Sequence, residues 1–276
     1  MIYKTYKPIG KTPLQSMNDF INNNGIKYNR IAYSGRLDPM AHGIFYIVTD
    51  EDMKNMSICD KHDKKYRFQV LLGVSTDTTD ILGIITNTCE NTDNMSENIK
   101  NNFLALSGKR FEQRYHKFSS FKTVYYTSSI ENNELLCNKK KAMWEIFSDN
   151  NLKNINENKF NENNMWPKKD INIYNIDYIG TKEYGIDKLY EIIKDNLEKI
   201  DKDTRKNFRF EEILSGWNLF YFNNKNKNNC YKILEFDINV SSGTYIRQLV
   251  EDIKNSISAS MLVIDIYRYD VYCSFG

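Results

Sequence analysis

Tyr33-Ser34-Gly35-Arg36-Leu37-Asp38-Pro39-Met40-Ala41-His42-Gly43 is the stretch on which the reading of this chain turns. It hangs one carboxylate on a turn, with a glycine three residues before it and a proline directly after. Asp before Pro is common in turns, because its side chain bonds nearby backbone amides and the residue before Pro avoids the helical region. A carboxylate displayed in this way is either a turn cap or a catalyst.

The flanking sequence supplies a scaffold for that turn. Met1 to Tyr6 alternates apolar or aromatic with polar residues, which predicts a short strand delivering Lys7-Pro8 into a turn at Gly10. Thr12 is placed to cap a helix with Pro13 in its first turn. Leu14, Met17, Phe20 and Ile21 then fall on one face until Asn22-Asn23-Asn24-Gly25 stops it. Beyond the Asp38 turn, Ile44-Phe45-Tyr46-Ile47-Val48 reads as a buried strand, and Tyr66 to Leu72 alternates until Gly73 ends it. Further strands are predicted at Gly83 to Thr88, Val124 to Ile130, Ile171 to Ile179, Leu234 to Val240 and Val263 to Tyr272, and helices at Ser96 to Ser107, Asp187 to Lys199 and Tyr245 to Ser256. Strands and helices mixed without strict alternation predict an α+β fold with a mixed, mostly antiparallel sheet.

At 276 residues the chain can bury one large core or hold two modest domains. A net charge of +2 is too small to announce a nucleic-acid binder, so local clusters carry that question. One is Lys61, Lys64, Lys65 and Arg67. A second is Lys109, Arg110, Arg114, Lys117 and Lys122, interleaved with Phe111, Tyr115, Phe118 and Phe121. That mixture suits RNA, which needs phosphate-neutralising cations and flat stacking surfaces, although core aromatics read similarly. The third run, Lys139-Lys140-Lys141, lies beside Asn-rich sequence and reads equally as a solvated face.

Cys59, Cys89, Cys137, Cys230 and Cys273 are odd in number and widely spaced, which argues against a zinc site or a disulfide framework. His42, His62 and His116 lack metal-site spacing, so no metal is expected. No apolar run approaches membrane-spanning length, and the motifs begin at Lys7, too early for a signal peptide. The expectation is an intracellular protein, cytoplasmic or nuclear, with no membrane partner.

The motifs share an order. Lys7-Pro8-Ile9-Gly10-Lys11-Thr12 comes first, then the Asp38 stretch and Lys64-Lys65-Tyr66-Arg67. Leu72-Gly73-Val74-Ser75-Thr76-Asp77-Thr78-Thr79-Asp80 follows, and late in the chain Ser242-Gly243-Thr244-Tyr245-Ile246-Arg247. Together they resemble the TruB/Pus4-like family of tRNA pseudouridine synthases. The resemblance covers residues 1 to about 125 and 234 to 276, with a fainter echo around Ile171 to Ile179.

The resemblance implies the pseudouridine synthase fold, a mostly antiparallel sheet flanked by helices and RNA-binding loops. It implies Asp38 as the catalytic carboxylate, Arg247 as the guanidinium beside it, and Tyr66 packing on the target base with a part in proton transfer. It places Ile266 on the pocket floor and Lys7 with Pro8 as the pair that buttresses the pocket from below. Tyr245 and Asp77 take substrate-binding or loop-ordering roles. The chemistry needs no cofactor, since the glycosidic bond is broken and remade through carbon without redox or an energy donor. The target uridine must leave its stack to be reached.

This chain also departs from the family. Tyr33 stands where bacterial members carry a His; it can stack within an RNA loop but cannot act as an imidazolium. Gln113 to Lys122 keeps the family's Gln, Ser and Lys but lacks its prolines. From Asn132 to Asn229 the composition shifts toward Asn, Lys and Glu, with tracts such as Asn161-Glu162-Asn163-Asn164, and parts of about 132–232 read as loops inserted into the catalytic domain. Tyr267-Arg268-Tyr269-Asp270-Val271 matches the family's final core strand shortly before Gly276. The expectation is therefore a single catalytic domain over 1–276 without the C-terminal RNA-binding (PUA) domain. Such a chain would be a stand-alone monomeric enzyme that needs no guide RNA and acts on the tRNA T-loop at uridine 55. Two alternatives stay open: the same chemistry on another T-loop-like RNA, messenger or viral, or a non-catalytic RNA-binding or RNA-folding protein.

Overall fold

Thr12 begins the first helix as its sequence demands. Its hydroxyl accepts from the Gln15 amide while the Gln15 side chain accepts from the Thr12 amide, a reciprocal cap with Pro13 in the first turn. Gly25 closes the same helix in the left-handed conformation. Met17 and Ile21 are buried against Phe45 and Ile47, whereas Leu14, expected on that face, is exposed because it falls one side of the contact stripe.

The computed structural model describes residues 1–90, 93–128, 135–162 and 165–271. The chain divides into two units, Met1–Arg110 with the chain from Ile171 onward, and Phe111–Asp170. In chain order the elements begin with β1 (Ile2–Lys7), α1 (Pro13–Asn24), β2 (Ile31–Ser34), β3 (Ala41–Thr49), α2 (Met56–Lys61) and β4 (Lys64–Leu72). Next come β5 (Val74–Thr76), β6 (Ile85–Thr88), α3 (Asp93–Leu104) and β7 (Arg110–Arg114). The second unit contains β8 (Lys122–Ser128), β9 (Leu135–Ala142), α4 (Met143–Ser148) and α5 (Asn150–Glu162). Then follow β10 (Lys168–Gly185), α6 (Ile186–Glu198), α7 (Phe210–Asn224), β11 (Cys230–Val240), α8 (Ile246–Ser256) and β12 (Met261–Val271).

The main sheet runs in the order β1-β3-β12-β4-β11-β10-β7, with β2 also paired to β3. Antiparallel pairing joins β1 to β3, β2 to β3, β12 to β4, β4 to β11 and β11 to β10, and β12 runs parallel to β3. The fold is thus α+β with a mostly antiparallel sheet. Residues directly opposite one another on neighbouring strands share a face. The registers Lys7↔Gly43, Gly43↔Arg268, Arg268↔Tyr66 and Tyr66↔Ile238 therefore lay Lys7, Arg268 and Tyr66 along one row of one face. Gly43 belongs there for a steric reason: at its φ of 123°, a Cβ would lie 2.1 Å from the Arg268 carbonyl oxygen.

Phe68, Phe103 and Phe236 pack together with ring centroids 4.8–5.6 Å apart, Phe68 stacked on Phe236 and Phe103 edge-on to Phe68, and fill the centre of that face. A second cluster joins Leu71, Ile233 and Leu262 of the sheet to Leu189 and Ile193 of α6 and Ile213 and Trp217 of α7. The Trp217 indole N–H donates to the Ile81 carbonyl at 3.0 Å, which satisfies its one polar atom inside the core.

The Asn/Lys-rich span divides differently from its composition. Residues 111–170 form the second unit, while the chain from Ile171 to about 232 supplies β10, α6 and α7 to the first unit's core. The helix expected at Asp187 to Lys199 spans Ile186–Glu198, with Ile186, Leu189, Ile193 and Leu197 at helical spacing and all buried, while α7 was not expected. The strand expected from Gly83 starts at Ile85, because Gly83 lies in the tight turn against Thr78. The helix expected over Ser96 to Ser107 spans Asp93–Leu104 and unwinds in short turns ahead of Gly108. Of the positions named above, Ile130, Asn132, Asn163, Asn164, Tyr272, Cys273 and Gly276 lie outside the described residues.

In the second unit β8 and β9 pair antiparallel, and Met143, Ile146, Phe147, Leu152, Phe160 and Trp166 form its own core. Several of its basic and aromatic residues meet partners within the unit. Tyr115 stacks on Phe121 with centroids 3.7 Å apart, Arg114 lies over Trp166, Lys141 over Tyr125, and Lys117 pairs with Glu157 at 2.6 Å. Among the described residues no helix is long and apolar enough to cross a membrane.

Candidate active site

The Asp38 turn is pinned at both ends. At its start, the Asp60 carboxylate accepts from the Ser34 hydroxyl at 2.9 Å and the Gly35 amide at 3.2 Å. The Arg268 guanidinium donates to the Gly35 carbonyl at 2.8 Å. At its end, the Pro39 carbonyl accepts from the Gly10 amide at 2.9 Å and from the Lys7 ammonium at 3.2 Å. Leu37 and Met40 are buried on either side of the Asp, so the carboxylate itself is turned outward.

Lys7 explains why a lysine precedes Pro8. Its side chain is fully buried, and its ammonium also donates to the carbonyls of Pro8 at 2.9 Å and Lys11 at 2.6 Å. Three carbonyls match three N–H donors. Gly10 completes this turn at a φ of 87°, where a Cβ would lie 2.2 Å from the Lys199 carbonyl oxygen. Pro8 is exposed and contributes its carbonyl to the ammonium.

Burial pushes the Lys7 pKa down to about 7, with Asp38 opposing the shift and the Arg268 charge reinforcing it. Below pH 7 both the folded and the unfolded chain hold this proton, and the cost of burying it is fully present. Between there and the ordinary value of 10.5 only the unfolded chain holds it, so stability rises with pH. The wild type should therefore gain about 2 kcal/mol over Lys7→Met between pH 7 and pH 9. Urea unfolding midpoints of the two proteins at both pH values check this, and a constant difference would contradict it.

Arg247, second residue of α8, meets the turn from the other side. Its Nε donates to Asp38 Oδ2 at 2.7 Å and lies 3.5 Å from Asp80 Oδ2, while Nη1 donates to the Thr78 carbonyl at 3.0 Å. The exposures differ sharply: the Arg247 side chain is 4% exposed and that of Asp38 is 32% exposed. Burial works against the Arg247 charge, but Asp38 and Asp80 outweigh it and carry its pKa upward. For Asp80 burial dominates and raises the pKa, although Arg247 and the Thr78 hydroxyl pull it down.

 The result is one carboxylate presented outward and fixed from behind by a buried guanidinium. Such a pair can offer a positioned anion to a substrate and compensate charge changes on it.

The other expected site residues fall into two groups. Tyr66 is buried in the row with Lys7 and Arg268, and Ile266 lies on the same face, opposite Phe68 and beside Ala41. Tyr245 directly precedes α8 and adds to the field on Arg247. Tyr33, by contrast, packs on β2 against the cluster of Met17, Ile21, Phe45 and Ile47. Asp77 pairs with Arg209 at 2.7 Å. His42, inside the Asp38 stretch, faces the opposite side of the sheet, between the Tyr6 hydroxyl at 2.6 Å and Asp265 at 3.1 Å. Asp80 and Arg268 are the residues the sequence reading passed over, although both sit inside motifs it quoted.

Residues 23–161 match the model of the TruB family pseudouridylate synthase N-terminal domain, half of the chain. The chain belongs to the TruB family. It is 38% identical over 87 residues to the tRNA pseudouridine synthase B of Mycoplasmopsis pulmonis, a match covering 32% of this chain and 30% of that protein. It is 36% identical over 112 residues to the tRNA pseudouridine synthase B of Mycoplasma mobile, covering 38% of each. The matched segments thus span less than two fifths of these TruB relatives. Among solved structures, an H/ACA RNP bound to a substrate RNA containing 2′-deoxyuridine aligns over 98% of this chain and 47% of its own, at 11% identity and a TM-score of 0.47. A Cbf5-Nop10-Gar1 complex aligns over 98% and 48%, at 10% identity and a TM-score of 0.45.

Proposed function

We propose that this TruB family member is an RNA pseudouridine synthase that isomerises a flipped-out uridine, uridine 55 of the tRNA T-loop, with Asp38 as its catalytic carboxylate. The observation that carries this reading is the half-exposed Asp38 carboxylate clamped by the buried Arg247 guanidinium. A turn cap would direct its oxygens to local amides; this one gives an oxygen to a residue 209 positions away. The names of the bacterial relatives support tRNA as the substrate.

In the reaction the bond from uridine N1 to ribose C1′ breaks, a bond from C5 to C1′ forms, the proton on C5 leaves to solvent, and N1 takes up one proton from solvent. Asp38 serves either as a nucleophile toward the substrate or as the base that first assists proton removal from the ribose. Arg247 keeps the carboxylate aimed in both routes, through the bond from its Nε to Asp38 Oδ2. Tyr66 packs on the extruded base, and Ile266 lines the floor beneath it. Lys7 holds the turn through the Pro39 carbonyl.

The test uses an unmodified tRNA transcript alone, with no second RNA and no other protein. Position-by-position mapping should find pseudouridine at uridine 55 and none when that uridine is replaced by cytidine. Product at other positions with uridine 55 untouched would overturn the substrate assignment.

A further inference from the structure

Asp77 and Asp80 stand three residues apart in one turn, yet they meet different arginines. Asp80 faces Arg247, while Asp77 Oδ2 accepts from Arg209 Nη1 at 2.7 Å. The other Asp77 oxygen accepts from the Ile84 amide at 2.8 Å, and the Asp77 amide donates back to the Ile84 carbonyl at 3.0 Å. Asp77 thereby closes the neck of the loop 77–84. Within that loop lie both backbone and side-chain contacts to Arg247, the Thr78 carbonyl and the Asp80 carboxylate.

The loop is held in an unfavourable conformation. Thr79 is fully buried at a φ of 58°, a region β-branched residues avoid, and its hydroxyl donates to Glu251 on α8. Gly83 packs so closely that a Cβ would lie 2.2 Å from the Thr78 hydroxyl oxygen and 2.8 Å from Asp77 Oδ1. A strained loop persists only where its surroundings over-determine it. Glu251 anchors one side, and Arg209 anchors the other.

Arg209 is itself placed at a cost. It precedes α7 at φ 55° and ψ 35°, the left-handed conformation in which glycine is unstrained and an arginine is not. Its side chain makes no cap to the helix. What an arginine provides there and a glycine does not is the guanidinium on Asp77.

We propose that Arg209 is a positioning residue for the reaction, clamping Asp77 so that the 77–84 loop holds Arg247, and through it Asp38, in the reactive arrangement. The inference rests on the reading of Asp38 as the catalyst. It assigns Asp77 to the loop clamp and not to substrate contact.

Single-turnover kinetics on the tRNA transcript, with enzyme in saturating excess, test this with Arg209→Gly, which removes the guanidinium and relieves the backbone. The rate constant should fall about tenfold, the scale of a coupled supporting pair, with reaction amplitude and RNA affinity unchanged. Asp77→Asn should fall similarly, the double variant no further than either single one, and Arg209→Lys should recover most of the rate. Hydrogen exchange of the peptide spanning 77–84 should quicken in Arg209→Gly while that of β4 stays as in the wild type. An unaltered rate constant, or a loss appearing only in amplitude or RNA affinity, would overturn the proposal while leaving Asp38 in place. If the wild type makes no product, the reading of Asp38 fails separately, and the exchange experiment decides the clamp: unchanged protection of 77–84 refutes it, and faster exchange supports it.

Discussion

Arg247→Met should slow pseudouridine formation by at least about a thousandfold and destabilise the protein at the same time. The guanidinium has no solvent-facing role, with 4% of its side chain exposed, and it holds Asp38, Asp80 and the Thr78 carbonyl together. Removing it leaves two carboxylates facing each other across an apolar side chain, a change of about 3–5 kcal/mol when the abandoned charge is buried. The pH dependence follows from Asp80, whose pKa burial raises above the ordinary carboxylate value even with Arg247 present. A folded chain that keeps a proton the unfolded chain releases loses stability as pH rises. Urea midpoints should therefore separate the variant from the wild type more at pH 8 than at pH 5. Arg247→Lys keeps the charge but cannot reach Asp38 and Thr78 at once, so it should remain at least about a hundredfold slow.

Asp38→Asn should reduce the rate further, by about ten-thousandfold or more, yet leave the fold intact. The amide retains the shape of the side chain and an oxygen for Arg247 Nε, but it offers neither a nucleophile nor a base. Arg247 keeps Asp80 as a charge partner, so the buried site stays balanced and stability should change by no more than about 1 kcal/mol. Affinity for the tRNA transcript should also stay near the wild-type value. Loss of activity with affinity and stability preserved is the signature of a group that acts only in the chemistry.

Much of the scaffold was legible in the chain because its signals are local. Thr12, Pro13 and Gly25 fix both ends of α1 within fifteen residues, and Tyr66 to Leu72 alternates as a strand with one buried face must. The partnership of Asp38 with Arg247 was reachable only through the resemblance, since nothing local links positions 209 apart. Asp80 was missed because Asp77 and Asp80 look alike in Thr76-Asp77-Thr78-Thr79-Asp80, and only the loop's strained path sends one carboxylate inward to Arg247 and the other to Arg209. Arg209 carries no motif, and its left-handed backbone is invisible in sequence. Within the Asn/Lys-rich span the strand at Ile171 to Ile179 and the helix at Asp187 to Lys199 were legible, whereas α7 was not expected, because the exposed Leu219 and Phe222 on its outer face blur its buried stripe. Tyr33, named because it stands where bacterial members carry a His, lies half-buried on β2, packed against the α1 cluster.

The most direct test is a tritium-release time course on a transcript labelled at C5 of its uridines, run side by side with wild-type protein and Asp38→Asn at equal RNA occupancy. Release of about one equivalent of tritium per transcript by the wild type, and none above background by the variant, is the predicted result. Release by Asp38→Asn at the wild-type rate would contradict the assignment of Asp38 as the catalytic carboxylate.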